Sequence, residues 1–171
     1  MQALVEKLLQ QAKLENRLEI VPEPVLLASL FATLAELHAS TLLQKSVRLT
    51  IDPAPGSLRV AGDEELLLQA IGNLLVNALD FTPPGGEITL GAWQEGERVI
   101  VRVTDTGSGI PDYALARIFE RFYSLPRASG QKSSGLGLAF VQEVARLHQG
   151  EIALVNRPEG GVEARLTLPP A

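Results

Sequence analysis

Asn73 and Asn77 stand four residues apart in the stretch "IGNLLVNALDF", so a helix would carry both on one face. Asparagine suits a helix interior poorly, because its side chain competes for backbone hydrogen bonds. Two readings are open. One is a solvated face, which Lys, Glu or Gln would serve better by propensity. The other is a pair of neutral amide oxygens, hard ligands suited to a Mg²⁺ ion that carries phosphates. Downstream, "VIVRVTDTGSGI" ends a strand in Asp-x-Gly-x-Gly. Strand alternation puts Asp105 on the face of Val101 and Val103. If that face is the core, the carboxylate must find a donor, because an unpaired buried charge is costly. An adenine exocyclic amine is one such donor; the alternative is an Asp that opens a turn. Gly107 and Gly109 let the backbone turn tightly and approach a flat ligand. The spacing is not the dinucleotide fingerprint, which needs a third glycine three residues on.

Gly135 and Gly137 in "SSGLGLAF" sit where a helix begins. There, free N–H groups and the helix dipole can hold phosphate, though a glycine-rich helix start without a ligand looks the same. Lys132 lies just before it in a polar, small-residue loop. It is either an exposed lysine or a cation within reach of a γ-phosphate.

These residues need elements to position them. Leu4, Leu8 and Ala12, with Val5 and Leu9 beside them, predict an amphipathic helix over residues 1–19, too short to be stable alone. "VPEP" ends it. A second helix is expected from Val25 to Gln44, then short strands near Val47–Ile51 and Leu58–Val60. The asparagine helix follows, with Asp63 as N-cap and Glu64 and Glu65 in its first turn. On a helical wheel Leu67, Ile71, Leu74, Leu75 and Ala78 form a dry face, and Gln69, Asn73, Asn77 and Asp80 a polar stripe opposite. Strands are expected at Glu87–Trp93 and Arg98–Asp105, a short helical turn or two in "DYALARIFERFY", a helix ending at Gly150, and a closing hairpin of Glu151–Asn156 and Val162–Leu168. The sum is an α/β (α+β) two-layer sandwich of helices on one mixed, mostly antiparallel sheet.

Composition excludes several classes. The 171 residues are 46% hydrophobic, with net charge −5 and no cysteine. Disulfides and thiolate metal sites are therefore absent. No basic run or excess supports a nucleic-acid partner. The two histidines are far apart in sequence, which disfavours a histidine zinc site. No apolar run reaches about 18 residues, and no signal peptide is visible, so a cytosolic module is expected.

Taken in order, the motifs resemble the histidine-kinase branch of the ATPase superfamily shared with gyrase, Hsp90 and MutL. "NLLVNALDFTPPGG" resembles its N box, "DTGSGI" its G1 box, "IFERFY" its F box and "GLGL" its G2 box. The resemblance covers about residues 23–168 and implies a Bergerat-type ATP-binding fold, with ATP and Mg²⁺ as ligands. It divides the chain into residues 1–22, the tail of a dimerisation helix with its linker, and residues 23–171, the catalytic domain.

By the same resemblance, Asn77 ligates Mg²⁺ and Asp105 accepts from the adenine amine. Phe81 packs near the adenine, and Gly107 and Gly109 shape that pocket. Gly135, Leu136, Gly137 and Leu138 present backbone N–H groups to the phosphates. Residues 121–134, including Arg121, Lys132 and Ser134, form an ATP lid. Asn73 holds the catalytic position where hydrolysing relatives carry glutamate. An amide is not a base, so water attack should be slow and the γ-phosphoryl kept for a protein acceptor.

Asp80 departs from the pattern, since many such kinases carry Lys or Arg there. Either it points away from the phosphates or a cation such as Lys132 or Arg121 compensates. The phosphoacceptor histidine of the family sits on a dimerisation helix and is usually followed by an acid. His38 is followed by Ala39, and His148 reads as structural, near a helix C-terminus that favours positive charge. The resemblance therefore implies a protein-histidine kinase fragment without its acceptor. Its partners would be the dimerisation and phosphoacceptor domain of a homodimeric, inner-membrane-anchored parent and a response regulator, with the fragment itself monomeric and cytoplasmic. The alternatives are an anti-sigma-type serine kinase and a non-catalytic nucleotide-binding signalling module.

Overall fold

The computed structural model describes residues 2–17, 19–125 and 136–171. Five strands form one mixed sheet. These are β2 (Arg48–Ile51), β4 (Glu87–Glu95), β5 (Arg98–Asp105), β6 (Glu151–Asn156) and β7 (Val162–Leu168), in the order β2-β4-β5-β7-β6. Only β2 and β4 run parallel; every other pairing is antiparallel. Helices α2 (Leu27–Lys45), α3 (Glu64–Phe81) and α5 (Gly137–Leu147) pack on the sheet, with α3 against α5; α1 (Gln2–Glu15) lies against α5, and α4 (Asp112–Leu115) is a single turn. This is the two-layer α/β architecture expected from the sequence.

Helix α3 is central because both of its faces behave as the wheel requires. Leu67, Ile71, Leu74, Leu75 and Ala78 are buried, while Gln69, Asn73, Asn77 and Asp80 are half-buried. Asp63 caps it: its carboxylate accepts from Leu66 N–H at 3.0 Å. On β5, Val99, Val101, Val103 and Asp105 all face the core. The strand therefore delivers a carboxylate to the core's edge by simple alternation.

Two features of the element layout differ from the sequence expectation. Residues 23–26 form a strand, β1 (Glu23–Leu26), where the second helix was expected to begin at Val25. It pairs with β3 (Arg59–Gly62) in a small second sheet, Val25 opposite Val60, both buried. A partner more than thirty residues away fixes this extended segment, and local propensity does not register it. Helix α1 ends at Glu15, short of residue 19. Its apolar stripe also points outward: Leu4, Val5 and Leu9 are exposed, while Gln11 and Leu14 are buried against the domain.

His148 is buried, and its charge state differs from the expectation. Asp63 N–H donates to its Nε2 at 3.0 Å, and its Nδ1 lies 2.7 Å from the Val144 carbonyl. Only a neutral ring with the proton on Nδ1 makes both bonds. Burial, the largest cause, lowers its pKa. The helix-end preference for positive charge loses here to desolvation.

Candidate functional site

The polar stripe of α3 opens on a cleft of about 190 Å³. Asn73, Asn77, Asp80 and Phe81 form one wall, Gly137 and Leu138 at the start of α5 another. Ile110 follows the Asp-x-Gly-x-Gly loop into the same cleft, and Ile118, Tyr123 and Leu125 close it. Four sequence segments thus converge at the C-terminal half of α3. Asn73 is held toward α5, its Nδ2 donating to the Gly137 carbonyl at 3.3 Å. The Asn77 amide lines the cleft, and no hydrogen bond to another described residue engages it. Among the described residues no side chain caps the first turn of α5, whose leading N–H groups have no intrahelical acceptor.

Asp105 is 5% exposed, at the end of β5. Its Oδ1 accepts from Gly107 N–H at 2.8 Å and from Val162 N–H at 3.2 Å. Among the described residues Oδ2 receives no donor. Burial raises the pKa of this carboxyl, while the two backbone N–H bonds and the charge of Arg157 lower it. A side chain at position 107 would collide with the Phe81 carbonyl and approach Asp105 Oδ1 to 3.0 Å. Only glycine lets this loop lie against the end of α3. Gly109 lines a neighbouring cleft that shares Phe81, Ile110 and Leu125 with the first.

Asn73, Asn77, Phe81, Gly137 and Leu138 are therefore brought together in the cleft lining. Asp105, Gly107 and Leu136 do not line it; Gly107 lies against the Phe81 carbonyl and bonds to Asp105, and the buried Leu136 precedes Gly137. Arg121 is not part of the cleft; it pairs with Glu15 of α1 at 3.5 Å and is half exposed. Lys132, Ser134 and Gly135 lie outside the described residues, as does most of the expected lid. Asp80 does line the cleft, and Lys45 Nζ from the last turn of α2 is one of its partners, at 3.4 Å. Lys45 is thus a cation beside Asp80 that local sequence did not single out, while Lys132, expected in that role, lies outside the described residues. Lys45 is 35 positions away, and only the packing of α2 beside α3 relates the two. Lys7 of α1 also reaches the cleft rim. No group of three or more His, Cys, Asp or Glu residues among those described is placed to hold a metal.

Residues 62–171 match the model of the histidine kinase-, DNA gyrase B- and HSP90-like ATPases. The chain is 60% identical over 168 residues to the sensor protein CreC of Escherichia coli (strain K12), covering 98% of this chain and 35% of CreC. Full-length ShkA, solved in complex with AMPPNP, superposes with a TM-score of 0.85 at 30% identity over 99% of this chain and 35% of that one. The catalytic domain of the histidine kinase ThkA gives a TM-score of 0.76 at 25% identity, over 88% of this chain and 98% of that one. The chain spans less than half the length of these curated relatives, 35% and 45% for two of them. With these matches and the cleft on α3, the chain belongs to the histidine kinase-, DNA gyrase B- and HSP90-like ATPase family, as the ATP-binding catalytic domain of a sensor histidine kinase.

Proposed function

We propose that the cleft at the C-terminal half of α3 binds Mg·ATP and presents its γ-phosphoryl group to a histidine of another domain. The observation that carries this reading is the convergence of Asn73, Asn77, Phe81, Gly137 and Leu138 on one cleft beside a carboxylate with an unspent oxygen. Asn77 offers its amide oxygen to the metal, a hard neutral ligand of the kind Mg²⁺ accepts. Asp105 Oδ2 accepts from the adenine amine, which supplies the donor that this oxygen lacks among the described residues. Phe81 lies against the base, with Gly107 and Gly109 shaping the approach. Leu136, Gly137 and Leu138, continuing from Gly135, turn backbone N–H groups toward phosphate. Asn73 stands at the catalytic position and, held by Gly137, cannot deprotonate water. When bound, Mg·ATP supplies the phosphoryl group; the chain's own part is to orient it and withhold a base.

Neither histidine of the chain suits the role of acceptor. Both ring nitrogens of His148 are engaged, and His38, half-buried on α2, is followed by Ala39 rather than an acid. The acceptor therefore belongs to a dimerisation domain, and a response regulator receives the group from it. Residues 1–22 read as the end of a dimerisation helix with its linker, residues 23–171 as the catalytic domain. The outward stripe of Leu4, Val5 and Leu9 supports this, being apolar surface that the domain does not use. No helix among the described residues is long and apolar enough to cross a membrane; the domain reads as the cytoplasmic part of a membrane-anchored homodimeric kinase.

Calorimetric titration tests the site. ATP should bind more tightly with Mg²⁺ than with EDTA, and Asn77→Ala should erase that difference, a loss of at least about tenfold (about 1.4 kcal/mol). An Asn77→Ala protein with undiminished Mg·ATP affinity would overturn the metal assignment. With labelled ATP, this chain alone should take no stable label, and a separate dimerisation domain should be labelled in its presence.

A further inference from the structure

The turn between β6 and β7 first reads as a plain hairpin connection. Its contacts are directed at one target. Asn156 makes two hydrogen bonds to the backbone of Ile110: it accepts from Ile110 N–H at 2.7 Å and donates Nδ2 to the Ile110 carbonyl at 2.7 Å. Arg157 Nη1 donates to the Asp105 carbonyl at 2.7 Å, and Glu159 steadies the guanidinium at 2.8 Å. Val162 N–H donates to Asp105 Oδ1 at 3.2 Å. Gly161, at φ +87, lies so close that any side chain there would strike the Asp105 carbonyl. The turn is held in shape by Arg157 N–H to the Gly161 carbonyl at 2.8 Å.

Both ends of the Asp105–Ile110 loop are thus fastened from outside it, by residues about fifty positions later in the chain. A loop with two glycines has little conformational preference of its own. Oδ1 is held at 2.8 Å by Gly107 N–H within the loop and at 3.2 Å by Val162 N–H after the turn, and Arg157 holds the Asp105 carbonyl, so the position of Oδ2 depends in part on the turn.

We propose that Asn156 and Arg157 are positioning residues for base recognition, fixing the Asp105–Ile110 loop so that the free oxygen of Asp105 meets the exocyclic position of the purine. This rests on the reading of Asp105 as the adenine acceptor. Both residues touch the loop backbone and act through it. Asn156 is exposed, so shortening it opens no internal cavity. Its effect on the base can therefore be separated from an effect on the fold.

The test is the ratio of affinities for ATP and inosine triphosphate, measured on the full chain by titration, together with the thermal midpoint. Inosine carries a carbonyl in place of the amine, so the wild-type chain should prefer ATP. Asp105→Asn should bring the ratio close to one, because an amide can donate to that carbonyl. Asn156→Ala and Arg157→Ala should each reduce the ratio about fivefold, the equivalent of one hydrogen bond of about 1 kcal/mol. Arg157→Lys, which keeps a donor for the Asp105 carbonyl, should restore part of it. If the variants lose thermal stability and weaken both nucleotides in parallel, leaving the ratio unchanged, the turn is merely structural and the inference is overturned. If Asp105→Asn leaves the ratio unchanged, the base-reading role of Asp105 fails first, and this inference with it. Should either alanine variant not fold, Asn156→Asp decides in its place: it keeps the acceptor for Ile110 N–H and loses the donor, and its ratio must fall.

Discussion

The two ends of α3 treat buried polar groups in opposite ways. At its N-terminus, Asp63 N–H goes to His148 Nε2, His148 Nδ1–H to Val144, and the Asp63 carboxylate to Leu66 N–H. Each of these donors and acceptors is spent within the fold. At its C-terminal half, the Asn77 amide has no partner among the described residues, and one Asp105 oxygen is unused. His148 and Asp105 are almost equally buried, at 3% and 5% exposed. Burial alone therefore does not separate a structural from a functional polar group. The separation lies in whether the fold itself uses every lone pair and proton.

Four changes would break or sharpen this contrast. The largest effect is expected at the closed end. His148→Ala leaves Asp63 N–H without its acceptor, removes the side-chain donor to the Val144 carbonyl while the backbone N–H of residue 148 still reaches it, and opens a cavity, so stability should fall by about 2–4 kcal/mol. That would appear as a thermal midpoint lower by about 5–15 °C, with ATP affinity unchanged in the protein that remains folded. A variant of normal stability that no longer bound ATP would reverse the assignment of the two ends.

Asp105→Asn should do the opposite. Its amide oxygen still accepts from Gly107 and Val162, so the denaturation midpoint should shift by less than about 1 kcal/mol. ATP affinity should drop by about tenfold, or 1.4 kcal/mol. Equal losses of stability and affinity would erase the distinction.

The pH dependence should also differ between the two ends. His148 has a folded pKa below its ordinary value of 6.5, so the unfolded chain binds a proton first as pH falls. Its stabilisation is complete above 6.5 and is lost as pH drops below it toward the folded value. Asp105 has a raised folded pKa, so the folded state takes up its proton first, and stability is gained as pH falls through that value. Urea denaturation from pH 7.5 to 5 should show a decline that His148→Asn flattens, whereas Asp105→Asn changes only the acid side. A decline of equal slope in both proteins would remove His148 as its source.

The smallest effect is expected at Asp80. Its pair with Lys45 is partly exposed, and such pairs contribute less than about 1 kcal/mol. Asp80→Asn should barely move stability and should tighten ATP by no more than about threefold, with ADP less affected. Weaker ATP binding in that variant would instead assign Asp80 a direct part in holding the ligand.

Much of this site was legible because its signals are local. The dry and wet faces of α3, the Asp63 cap and the delivery of Asp105 to the core edge all follow from periodicities of 3.6 and 2. They hold in the structure residue for residue. The misread parts share a different origin. Strand β1 depends on β3, the partner of Asp80 on the packing of α2, and the neutral state of His148 on a backbone N–H 85 residues away. Arg121, counted as part of a lid, goes to Glu15 on α1.

The sequence by itself determined which side chains α3 offers to its wet face, that a carboxylate ends β5, and that a glycine-containing segment starts α5. These follow from short-range geometry, which the order of residues encodes directly. Tertiary structure alone decided that the wet face of α3 and the start of α5 share one cleft, that the Asp105 loop packs against the end of α3, that Lys45 pairs with Asp80, and that the β6–β7 turn fastens the Asp105 loop. Those outcomes depend on which distant surfaces pack together, and they are settled by burial and hydrogen-bond satisfaction across the whole domain, not by any local pattern.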